Sequence, residues 1–135
     1  MNATPARYRL ASPGVVAEVI DGEAIIMHLG QGSYFSIDGA GAAVWTLLLD
    51  GATEDEAARE VAACAGASRD QVSAEVGLLV SRLLEEGLVE RDPERPAPES
   101  LSVEGPLVYA TPVLNKYGDM KEMLALDPPI PEFGP

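Results

Sequence analysis

Gly32-Ser33-Tyr34-Phe35-Ser36-Ile37-Asp38-Gly39-Ala40-Gly41-Ala42-Ala43-Val44-Trp45 runs a strand directly into a helix, and its reading decides the fold. Ser33–Ile37 is short, aromatic and apolar, which suits a pleated, half-buried position. Asp38 is of the residue type that caps a helix start. After it Ala40, Val44, Leu47 and Leu48 recur at helical spacing, with Ala43 and Trp45 beside them, until Asp50-Gly51 stops the turn.

Upstream, Val15–Ile20 is rich in β-branched residues and ends at Asp21-Gly22, a pair that supplies the positive φ of a tight hairpin. Glu23–Leu29 is the return strand, and Gly30-Gln31-Gly32 turns the chain into Ser33–Ile37. Three sequential strands joined by short turns predict an antiparallel meander. Apolar residues fall on both of its faces, the pattern of a sheet covered by helices on one side and touched by something else on the other.

Downstream, Thr53-Glu54-Asp55-Glu56 is a capping box opening a helix to about Ala65, ended by Gly66. Its inward residues, Ala57, Ala58, Val61 and Ala65, are small and call for close neighbours. Ser68-Arg69-Asp70-Gln71 repeats the capping-box arrangement. The helix after it carries an apolar stripe of Val72, Val76, Leu79, Val80, Leu83 and Leu84 and halts at Gly87. Leu88-Val89-Glu90 adds a short extended piece. The expected class is α+β: a three-stranded antiparallel sheet, then three helices, then an extended C-terminal tail.

Of 11 prolines, 9 lie from Pro93 onward, which divides a compact block at residues 13–92 from a Pro/Glu-rich linker at 93–108. Residues 109–135 turn apolar again, with Tyr109, Val113, Leu114, Tyr117, Met120, Met123, Leu124 and Leu126. A tail that only solubilises has no use for that much apolar surface.

The net charge is −13, and both the block and the tail are acidic. Neither supplies the positive field that holds phosphates, which argues against nucleic acid and anionic membranes as partners. A single cysteine, Cys64, excludes an internal disulfide. The first ten residues do not read as a signal peptide, and no apolar run approaches a membrane span, so a cytoplasmic protein is expected. One histidine, His28, and one cysteine fall short of a zinc ligand set. His28 and Trp45 read as structural, Glu54-Asp55-Glu56 as favourable charge at a helix start, and Glu85, Glu86 and Glu90 as solvated surface. No catalytic constellation, cofactor or metal is expected.

Asp21-Gly22-Glu23, Gly32–Ile37, Gly41-Ala42-Ala43-Val44-Trp45, Asp50-Gly51-Ala52-Thr53 and Leu83-Leu84-Glu85-Glu86-Gly87-Leu88-Val89 follow one another in an order that resembles the PqqD-like family. These are precursor-recognition domains of ribosomal peptide-modification pathways. The resemblance covers roughly Pro13 to Arg91. It implies a winged-helix-like domain, without catalytic activity, that binds a leader peptide as an added strand between its third strand and third helix. Carried over, the groove is Ser33, Tyr34, Phe35, Ser36 and Ile37 facing Val72, Val76, Leu79, Val80 and Leu83. An open strand edge has the unpaired amides and carbonyls that such docking uses.

Tyr109, Pro112, Leu114 and Gly118 are spaced as in the leader motif of lasso-peptide precursors, though the threonine of that motif would fall at Leu124. Residues Tyr109–Leu114 suit a docking strand: Tyr109 gives a large amphipathic ring, and Pro112 and Leu114 share one side of an extended chain. The expected partner is therefore a leader-like peptide, the chain's own tail or that of a neighbour in a swapped dimer, together with an enzyme that modifies peptides. Met120–Pro135 would be the region acted upon, with Lys121, Asp127 and Glu132 its distinctive side chains. Two other classes compete. One is an adaptor whose groove takes a partner protein and is blocked by the tail. The other is a winged-helix DNA-binding regulator, which the mixed charge of Ser68–Glu86 disfavours.

Overall fold

The computed structural model describes residues 6–119 except Ser12, Glu104 and Pro106. Met120–Pro135, the expected region of modification, lies outside the described residues. The elements run β1 (Tyr8–Leu10), β2 (Val15–Ile20), β3 (Glu23–His28), β4 (Ser33–Asp38), α1 (Gly39–Leu49), α2 (Glu54–Ala65), α3 (Arg69–Glu85), β5 (Val89–Arg91) and β6 (Asn115–Asp119). The class is α+β with three helices. The expected single three-stranded sheet is corrected to two antiparallel sheets, one ordered β2-β3-β4-β6 and one pairing β1 with β5.

The β2–β3 hairpin closes through Asp21 and Gly22, both at positive φ (52° and 77°). That primed turn matches the right-handed twist of its strands. In the register between β3 and β4, Ala24 lies opposite Ile37 and Ile26 opposite Phe35, and all four side chains are fully buried. This is the face covered by the helices. Trp45, Leu47 and Leu48 of α1, Val61 of α2, and Val72, Val76, Val80 and Leu83 of α3 complete one core.

The Thr53–Glu56 capping box forms as expected, and Gly66 ends α2 in the left-handed region. Two other caps differ from expectation. Asp38 occupies the N-cap position of α1, but its side chain makes no capping bond. Gly39, at φ 56°, turns the chain at the helix entry instead. At α3, Ser68 accepts from the Gln71 amide, but Gln71 does not return the bond and donates its side-chain amide to Glu75. His28 is structural: its Nδ1 and carbonyl accept from the Gly30–Gly32 turn.

β1 has no counterpart in the sequence reading, which began the block at Pro13. Tyr8 is only 1% exposed, and its hydroxyl donates to Glu54 at 2.9 Å. Burial and that carboxylate push the phenol up to about 12. Beside it, Arg7 donates to the Gly51 carbonyl at 2.8 Å and to both oxygens of Glu56, at 2.7 and 3.3 Å. One carboxylate thus closes a helix cap and anchors the N-terminal strand. After β5, Arg95 reaches back to the carbonyls of Tyr8 (3.0 Å) and Leu49 (2.7 Å), so the start of the linker is held against the C-terminus of α1.

The hydrogen bond from Arg7 holds the Glu56 carboxyl below the usual carboxylate range. A depressed pKa contributes stability that is complete above the unfolded value, near ~4.3, and is lost as pH falls through the folded one. Arg7→Met should therefore be most destabilising at neutral pH, with the gap to the native protein narrowing below about pH 4.3. Thermal melts from neutral to strongly acid pH check this, and a gap independent of pH would contradict it.

Candidate functional site

β4 is an inner strand of the sheet because β6 lies on its outer edge. The register pairs Ser36 with Asn115, Phe35 with Lys116 and Ser33 with Asp119. Between the last two pairs, Tyr117 and Gly118 face Tyr34 alone, which is a β-bulge. The expected docking strand was Tyr109–Leu114, but the paired strand is Asn115–Asp119, which starts where the expected one ends and shares no residue with it. Pro112 contributes to this, since it has no amide to donate and a sheet accepts proline only where its amide side faces solvent. Asn115–Asp119 has every amide.

The residues before the strand are held by side-chain contacts. Leu114 is 6% exposed and joins the core. Pro112 packs on Gly41 of α1, where an added Cβ would come within 3.3 Å of the proline ring. Tyr109 is partly buried and donates its hydroxyl to Glu75 of α3 at 2.5 Å. Burial, then that carboxylate, raises the phenol well above its ordinary value. Leu101, Val103 and Leu107 also lie partly buried against the core, so much of the linker is laid along the body.

Alternation along β6 gives each side chain its own surface. Lys116, opposite the core residue Phe35, lies on the helix side, its ammonium 5.7 Å from the Phe35 ring centre and 3.0 Å from Glu86. Tyr117 takes the other face, its ring tilted at 47° against that of Tyr34 with ring centres 5.0 Å apart. Its hydroxyl is 3.0 Å from that of Ser36. Asn115 donates to the Ser36 carbonyl.

The residues expected to form the groove therefore divide. Ser33, Tyr34, Phe35 and Ser36 meet the tail through backbone pairing or direct side-chain contact. Ile37 and the α3 residues Val72, Val76, Leu79, Val80 and Leu83 are buried within the core cluster. The α3 residues whose side chains reach the tail by hydrogen bonds or ion pairs are Glu75 and the cap residue Glu86, the second of which reads as solvated surface in the sequence. Gly41 was likewise missed. A separate open pocket of about 590 Å³ is lined by Val19, Ala42, Ala43, Thr46, Val103 and Leu107, none of them on β4 or α3. Among the described residues, no group of three His, Cys, Asp or Glu side chains is placed to hold a metal ion. Nor is any described helix long and apolar enough to cross a membrane.

The family model for coenzyme PQQ synthesis protein D matches residues 23–89. No curated protein matches the chain. Among solved structures, TbiB1 in complex with the TbiA(beta) leader peptide is similar at 29% identity and a TM-score of 0.57. The likeness covers 61% of this chain and 94% of that one. With the family match running from β3 to the start of β5, the chain carries a PqqD-like domain.

Proposed function

We propose that this chain is a non-catalytic peptide-binding module that takes a leader-like segment by strand addition on β4, and that its resting occupant is its own tail. The observation that carries this reading is the ladder between β4 and β6, flanked by the anchors Tyr109, Pro112 and Leu114. The similarity to TbiB1, solved in complex with a leader peptide, supports recognition of a leader-like segment. The winged-helix-like architecture implied by the family fits three helices packed on one face of a small sheet.

The setting we infer is ribosomal peptide modification, with residues 13–92 recognising, 93–108 linking and 109–135 docking. The spacing of Tyr109, Pro112, Leu114 and Gly118 favours a segment of the lasso-leader type. The contacts of Tyr109 with Glu75 and of Pro112 with Gly41, the burial of Leu114 and the bulge at Gly118 support that reading. The modifying enzyme would act beyond Asp119, in a cytoplasmic pathway. A DNA-binding role is opposed by the charge of α3, whose Arg69 and Arg82 are paired with Asp55 and Glu86.

A shortened chain separates this reading from that of an adaptor plugged by its tail. The cut belongs after Gly105, not Asp92, because Arg95, Leu101 and Val103 pack on the body. A free peptide of residues 107–119 should bind the shortened chain in a calorimetric titration, and bind the full chain at least tenfold more weakly because the edge is taken. A shortened chain that is folded but ignores the peptide would refute the proposal. Capture of an unrelated strand in preference to the peptide would favour the adaptor.

A further inference from the structure

Glu75 and Glu86 sit eleven residues apart on the α3 side facing the tail, and each meets one polar side chain of it. They are arranged alike. Gln71, one turn before Glu75, donates to one carboxylate oxygen at 3.4 Å, and Tyr109 donates to the other at 2.5 Å. Arg82, one turn before Glu86, reaches one oxygen at 3.5 Å, and Lys116 reaches the other at 3.0 Å. In both cases a helix neighbour orients the carboxylate and leaves its second oxygen for the peptide. Pre-positioned acceptors of this kind lose less freedom when the partner arrives.

We propose that these two glutamates are specificity residues, which select a peptide bearing a phenol and, seven residues later, a cation. This rests on the strand-addition reading and adds to it a polar requirement that the spacing of tyrosine, proline, leucine and glycine does not contain. Geometry gives the requirement its spacing. Eleven residues of α-helix rise about 16 Å, whereas seven extended residues span up to about 24 Å. The excess length is used where the tail crosses α1 at Pro112 and Gly41 before turning into β6. A cation displaced by one residue would move to the opposite face of the added strand, onto the side of Tyr34 and Ser36 and away from Glu86. The substrate class is therefore a peptide with tyrosine at one position and lysine or arginine seven further on, with proline and leucine between them. An acidic residue at the lysine position is disfavoured by repulsion from Glu86.

A charge-swap cycle in the full chain tests this, read as amide exchange at Asn115–Asp119 with the β2–β3 amides as a folding control. Glu86→Lys and Lys116→Glu should each speed exchange of β6 by about three- to tenfold, and the two together should return it to within about twofold of the native rate. A role in fold stability alone would not be rescued by the second exchange. Single variants with native exchange rates, or a double variant whose losses simply multiply, would overturn the selection of a cation by Glu86. If the native β6 amides exchange as fast as an unstructured segment, the strand-addition reading fails and takes this one with it.

Discussion

Leu114→Ala should release β6 from β4 while leaving the rest of the sheet intact. Among the described residues Leu114 is the one tail side chain in the buried core, and full burial of a leucine is worth about 1.5–3 kcal/mol. Losing most of that shifts docking by roughly ten- to a hundredfold toward the open state. The flanking contacts are weaker: an exposed ion pair at Lys116, a tilted aromatic contact at Tyr117 and a hydrogen bond at Tyr109. The expected reading is faster amide exchange confined to Asn115–Asp119, with β2 and β3 unchanged. The same variant should bind an added peptide of residues 107–119 more readily than the native chain does. Protection of β6 that survives the substitution would mean that backbone pairing alone holds the tail.

Tyr8→Ala should cost the domain about 3–5 kcal/mol, the range for deleting a fully buried aromatic side chain. Against a total stability of about 5–15 kcal/mol that is a large fraction, and the melting temperature should fall by roughly 15 °C or more. Tyr8→Phe keeps the ring in place and removes only the hydrogen bond to Glu54, so about 1 kcal/mol is expected. Equal melting temperatures for the alanine variant and the native chain would show that β1 and β5 are an ornament on the fold. The size of the effect also bears on where the domain begins: a chain started at Pro13 lacks Tyr8 and the Arg7–Glu56 anchor.

The two predictions mark what was and was not legible in the amino-acid order. Helices and the hairpin announce themselves locally, through Thr53–Glu56, the Val72–Leu83 stripe and Asp21-Gly22, because each signal is contained in a few neighbouring residues. β1 is three residues long and its partner lies some eighty residues away, with Tyr8 opposite Arg91. No local pattern encodes such a pairing. The tail was intermediate. Its anchors could be named from Tyr109, Pro112 and Leu114, but no local signal sets where the ladder starts: Val113 and Leu114 keep their amides, yet pairing begins at Asn115. Glu75 and Glu86 were invisible for a further reason. A carboxylate on a helix surface looks solvated until the segment covering it is known. Asp38 erred the other way: its residue type promised a capping bond that its side chain does not make.

Antiparallel pairing also gives the docked tail a direction of travel. β6 enters beside Ser36 and leaves beside Ser33, the end of the sheet that carries the Gly30–Gly32 turn and the exposed Leu29. In the proposed role, an enzyme acting beyond Asp119 would first meet the tail at that pole, since by the opposite one, at the Asp21–Gly22 hairpin, the added strand has only begun.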